Sequence, residues 1–133
     1  MISAMASSSM SKWIAVAGAV LLAAVAADTL VPVAFQVRLG LHWLIEHFLA
    51  YFAVALLFCL AWPRPIIVAA ALMGVAAAME ALQGLTADRI PDLPTAFCGA
   101  AGVLAGALLA SLVTEAWQRR QACPQSSAGP GAF

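Results

Sequence analysis

The stretch Glu80–Gly106, EALQGLTADRIPDLPTAFCGAAGVLAG, decides how this chain is to be read. It places Glu80, Gln83, Asp88, Arg89 and Asp92 close together, between two long apolar runs. Moving an unpaired amide into hydrocarbon costs roughly 2–7 kcal/mol, and an unpaired charge costs far more. Polar groups at the edge of such runs therefore need partners, water or a purpose. Gly99, Gly102, Gly106 and Ala110 follow on the apolar side. Gly102 with Gly106, and Gly106 with Ala110, are small pairs four residues apart, the spacing that lets helix backbones approach closely in lipid.

Working outward, the whole chain has the character of a membrane protein. Of its 133 residues, 65% are hydrophobic and 9% are charged, with mean hydropathy +1.00. Soluble domains carry about 25% charged residues, so this chain has too few to coat a water-facing surface. Apolar runs of about 20 residues recur, the length that crosses a bilayer. The expected fold is all-α, a polytopic bundle of four transmembrane helices. The expected runs are 13–35, 41–62, 66–85 and 95–113, in one membrane domain over 13–116. Residues 1–12 and 117–133 are expected to be disordered, the second because of its Ser, Gly and Pro content. Lys12, an apolar core and Ala24-Val25-Ala26 also resemble a cleavable signal peptide. A retained helix is the favoured alternative, because the apolar stretch continues past that site.

Net charge is zero and the basic residues are not clustered, which argues against a nucleic-acid partner. Cys59, Cys98 and Cys123 are dispersed, with no CxxC spacing. That excludes a recognisable disulfide framework or zinc motif. No cofactor motif is present. His42 and Glu46 share a helix face, but His42 and His47 diverge by about 140° on a 3.6-residue helix, so no metal site is expected.

Four crossings put both termini and the Trp62–Pro65 break on one side. That side holds Lys12, Arg64, Arg119 and Arg120, while Arg38 and Arg89 lie on the other. The positive-inside rule then makes the termini cytoplasmic. Asp28, His42, Glu46, His47, Glu80, Gln83, Asp88, Arg89 and Asp92 all fall at the outer end. His47 and Tyr51 share one helix face, as do Glu80 and Gln83. The candidate ligand-binding set is His47, Tyr51, Glu80, Gln83, Arg89 and Asp92. Asp92 is also the expected N-cap of the fourth helix.

Glu46-His47-Phe48-Leu49-Ala50-Tyr51, Glu80-Ala81-Leu82-Gln83, and Arg89, Asp92 and Gly99 carry a resemblance to the VanZ-like family of small bacterial membrane proteins. The pieces resemble the family's H-F-x-x-Y, E-x-x-Q and R-x-x-D segments, in the same order, over roughly residues 28–110. Two departures stand out. Trp43 and Leu44 replace an Asp-Lys pair common in the family, and Ala96 replaces a common Asn. The resemblance implies a bacterial inner-membrane location and a link to teicoplanin resistance, but supplies no biochemical activity.

Two kinds of function fit the residues. The favoured one is an outward polar pocket that binds an envelope lipid or a lipid-linked cell-wall precursor, with Arg89 as an anion clamp. The alternative is a membrane enzyme in which His47 and Glu80 are an acid/base pair and Arg89 stabilises an oxyanion. No activated Ser or Cys nucleophile is evident. Beside both stands a structural role, with the same residues acting as polar contacts between helices. A homo-oligomer through Gly102, Gly106 and Ala110 is the remaining partner expectation, with packing inside the chain's own bundle as its alternative.

Overall fold

The structure is a computed structural model that describes residues 2–31, 33–36, 40–85 and 93–122. It contains α1 (Ile2–Leu30), α2 (Trp43–Ala61), α3 (Pro65–Gln83) and α4 (Leu93–Ala122), with one 3-10 turn at Val33–Phe35. Among the described residues there is no strand. All four helices contain a segment long and apolar enough to span a membrane. The chain is an all-α, multi-pass membrane protein.

Sequence punctuation sets the helix ends. Pro32 follows α1 and stops it short of the expected residue 35. His42 caps α2, its Nδ1 accepting from the Leu44 N–H at 3.4 Å. At the other end Trp62 N–H closes α2 onto Phe58 O at 2.8 Å, and Pro65 opens α3. The linker Trp62–Arg64 is too short for anything but an antiparallel hairpin of α2 and α3. Gly84 ends α3 by donating to Glu80 O at 3.3 Å.

At both ends the helices run beyond the expected membrane domain. Residues 2–12 are helical and continuous with α1. Ala and Met are good helix formers, and no Gly or Pro occurs before Gly18. Ser11 Oγ donates to Ala61 O at 2.9 Å, which ties this segment to the end of α2. Residues 117–122 are likewise helical, extending α4 beyond residue 113. Gln, Arg and Ala dominate there, no Gly or Pro intervenes before Pro124, and Arg119 pairs with Glu115 at 3.9 Å. The rest of the expected tail, 123–133, and Met1 lie outside the described residues.

α2 touches all three other helices, and its largest interface is with α4. α1 packs on α2 and α3 but not on α4. α2 and α4 run parallel, because Gly102 faces Phe48 and Phe52 while Gly106 faces Phe52, Ala55 and Leu56. A Cβ on Gly102 would collide with Phe48 O, and one on Gly106 with Phe52 O. Only glycine allows this approach. Gly102, Gly106 and Ala110 are all buried against the chain's own helices. Within the chain it is α2 that Gly102 and Gly106 meet, which is the alternative to a contact between copies.

The core is thin. Val54, Ala55, Cys59, Leu72, Val103 and Ala107 are buried, with Leu21, Leu22 and Val25 of α1 packed against them. No span has more than 33% of its residues buried. The outward faces carry Ile66, Phe97, Leu104, Leu108 and many similar side chains. Acyl chains solvate such a surface without penalty, whereas water would not.

Candidate functional site

The polar cluster forms at the end where α1 and α3 finish and α2 and α4 begin. Each helix contributes. α1 brings Thr29 from its last turn, α2 brings His47 and Tyr51, α3 brings Glu80 and Gln83, and α4 brings Thr95 and Gly99. Ala76, Met79 and Ala96 complete the lining.

Local geometry explains the placement. His47 and Tyr51 are one turn apart, with ring centroids 6.1 Å apart and tilted by 45°. Tyr51 is 4% exposed despite its hydroxyl. Its ring lies against Gly99, where a Cβ would sit 3.3 Å from Cδ2. Glycine at 99 therefore makes the seat for the tyrosine ring. Glu80 and Gln83 lie one turn apart on α3, with Glu80 half-buried and Gln83 buried. Gln83 Nε2 donates to the Thr29 carbonyl over a long 3.5 Å. Thr29 Oγ1 donates back along its own helix to Val25 O at 2.6 Å. Its main-chain oxygen lies in the last turn of α1, where carbonyls lack a helical partner, and so is open to Gln83.

Four of the six expected binding residues, His47, Tyr51, Glu80 and Gln83, thus line one space. Arg89 and Asp92 fall within 86–92, outside the described residues, as does Asp88. In the sequence their segment joins Leu85 to Leu93. Thr29 and Thr95 are site residues that sequence reasoning passed over. His42 and Glu46 stand apart from the cavity: His42 is exposed at the α2 cap, and Glu46 Oε1 accepts from Leu41 N–H at 3.1 Å. Asp28 is half-buried, and its main-chain oxygen accepts from Gln36 Nε2 at 3.1 Å.

The space the cluster encloses is small, about 10 Å³ available to the centre of a water molecule. That is roughly one water's worth of room. His47, Glu80, Gln83 and Thr95 all have interaction partners. Among the described residues no buried side-chain nitrogen or oxygen lacks a hydrogen-bond partner. In this conformation the described polar residues gather around a water-sized void. Chemically it offers a carboxylate, an imidazole, a phenol, an amide and two hydroxyls. Among the described residues no group of three or more His, Cys, Asp or Glu is arranged to hold a metal ion.

Comparison with protein-family models, with curated proteins and with solved structures finds no match for this chain.

Proposed function

We propose that the chain is a VanZ-like protein of a bacterial inner membrane, with cytoplasmic termini and its polar cluster at the outer face. Its function there is to bind the polar head of an envelope lipid or lipid-linked cell-wall precursor. One observation carries the reading. The buried polar side chains among the described residues, Thr29, Gln83 and Thr95, come from three different helices and gather in one place with His47, Tyr51 and Glu80. Polar residues within spans are costly and characteristically line a functional cavity. Arg89, four residues before Leu93, is the cation proposed to hold the ligand's phosphate or carboxylate. Ala96 lines the void where the resembled family commonly has Asn, so this chain would leave there the room an amide would fill. A teicoplanin-resistance role belongs to the family's history and is not carried by these residues.

The small size of the void favours a second reading. A network with every buried group satisfied is also what structural polar contacts between helices would give, each worth about 0.6 kcal/mol. Native mass spectrometry in mild detergent separates the two. Wild type should carry a discrete lipid or precursor that Glu80→Gln and Arg89→Ala lose while remaining folded. If all three carry the same bulk phospholipid, the cluster is structural. A product formed from the bound lipid would instead identify an enzyme with His47 and Glu80 as its acid/base pair.

A further inference from the structure

The opposite end of the bundle carries a different constellation. The helix lengths locate it. α2 and α3 have 19 residues each, about 29 Å, which matches a hydrocarbon core of about 30 Å. α1 and α4 have 29 and 30 residues, so each overshoots by roughly 15 Å. Their other ends, Leu30 and Leu93, lie near the polar cluster, so the excess projects at the end holding both termini.

Three tryptophans stand where the helices leave the membrane there. Trp13 is 71% exposed, Trp62 56% and Trp117 60%. Each has a cation beside it in sequence: Lys12 next to Trp13, Arg64 two residues after Trp62, Arg119 and Arg120 just beyond Trp117. Three separate chain segments thus repeat one pairing. The Ser11–Ala61 hydrogen bond sets Lys12 level with Trp62. The parallel register of α2 and α4 puts Trp117 roughly 5 Å further out. Phe58 stacks on Trp62 with planes 5° apart and holds that ring in place. All four cations are exposed, and of the four only Arg119 has an ion pair, with Glu115 at 3.9 Å.

The charge is polarised along the bundle. Lys12, Arg64, Arg119 and Arg120 against Glu115 give this end +3. By chain position, Asp28, Glu46, Glu80, Asp88 and Asp92 against Arg38 and Arg89 give the other end −3. A net charge of zero hides this separation. An open apolar groove of about 600 Å³ runs past Trp13, from Ser9 to Ala17 and Leu57, and gives an acyl chain a place beside the belt.

From the three Trp–cation pairs and the +3 charge, we infer that this end is a docking belt for anionic phospholipid, the indoles at headgroup level and the cations on the phosphodiesters. The inference needs only the transmembrane arrangement and is independent of any ligand at the polar cluster. Each cation near an anionic surface contributes a factor of about five in association, so a single Gln substitution should lower the preference roughly two- to fivefold.

The test is tryptophan quenching in vesicles of phosphatidylcholine containing equal mole fractions of brominated phosphatidylcholine or brominated phosphatidylglycerol. The full-length protein should be quenched more strongly by the brominated anionic lipid, and the difference should shrink between low and high NaCl as the charges are screened. A variant with Trp43 as its sole tryptophan reports the acidic end and should show no such preference. Replacing Lys12, Arg64, Arg119 and Arg120 together with Gln should abolish the preference while quenching by brominated phosphatidylcholine and the helical circular dichroism stay unchanged. Arg119→Lys with Arg120→Lys should keep it, which guards against a folding defect in the Gln variant. Equal quenching by the two lipids in wild type, or an equal preference at Trp43, overturns the inference.

Discussion

Replacing Gly102 with alanine adds one methyl group where α2 and α4 meet most closely. The new Cβ collides with Phe48 O and sits 3.1 Å from Phe52 N and 3.2 Å from Phe48 C. These are backbone atoms, so no rotamer change relieves the contact. The two axes must separate by roughly 1 Å, which forfeits dispersion contacts along the whole interface. Overpacking of this kind costs about 1–3 kcal/mol. Alanine also gains up to about 1 kcal/mol over glycine from helix propensity, which would mask part of the loss. Gly74 supplies the correction. It lies in α3, it is exposed, and a Cβ there meets nothing within 4 Å. Gly74→Ala has the propensity gain without the collision. The difference between the two variants therefore isolates the close approach. It should be about 1–3 kcal/mol, a factor of roughly 5–150 in the folding equilibrium. Reversible unfolding by SDS titration in mixed micelles, followed by circular dichroism, reads it directly. If Gly102→Ala is as stable as Gly74→Ala, the parallel glycine contact between α2 and α4 is wrong.

Other outcomes follow from the same geometry. Gly99→Val would push a branched side chain into the Tyr51 ring, already 3.3 Å from a bare Cβ, and should destabilise by about 1–3 kcal/mol in the same titration. Gln83→Leu removes the hydrogen bond to the Thr29 carbonyl and should cost about 0.6 kcal/mol, within the range of single polar contacts in membranes. A loss several times larger would mean that Gln83 organises the whole cluster. Since α1 packs on α2 and α3 and contributes Thr29, the intact mass of the purified protein should include α1; a mass beginning after Ala26 would restore the signal-peptide alternative.

The four helices were legible because bilayer thickness imposes a length that apolar runs report openly, and because Pro32, the Trp62–Pro65 break and Gly84 mark their ends. The glycine face was legible as spacing, but spacing alone does not say which helix covers it; the Phe48 and Phe52 backbone does. His47, Tyr51, Glu80 and Gln83 were found because their side chains are conspicuous in an apolar setting. Thr29 and Thr95 were not, since threonine satisfies its own hydroxyl within a helix, as Thr29 does on Val25, and so sits in apolar runs without announcing itself. Residues 2–12 and 117–122 are helical because no Gly or Pro interrupts them, whereas the Ser, Gly and Pro that mark the C-terminal stretch as a tail begin only at Pro124. The gathering of the cluster around a water-sized void depends on how four helices settle together, and no single stretch encodes it.

The central claim is that four crossings put the polar cluster at one membrane face and both termini with the Trp62–Arg64 turn at the other. Single-cysteine variants test it most directly, on a background lacking Cys59, Cys98 and Cys123. Leu41→Cys and Leu85→Cys, both exposed beside the cluster, Pro63→Cys at the opposite turn, and a variant retaining only Cys123 are labelled with a membrane-impermeant maleimide in vesicles of one orientation. The account predicts that Leu41→Cys and Leu85→Cys react from one side, and that Pro63→Cys and Cys123 react only when the vesicles are opened or inverted. Labelling of Leu41→Cys and Pro63→Cys from the same side would contradict it.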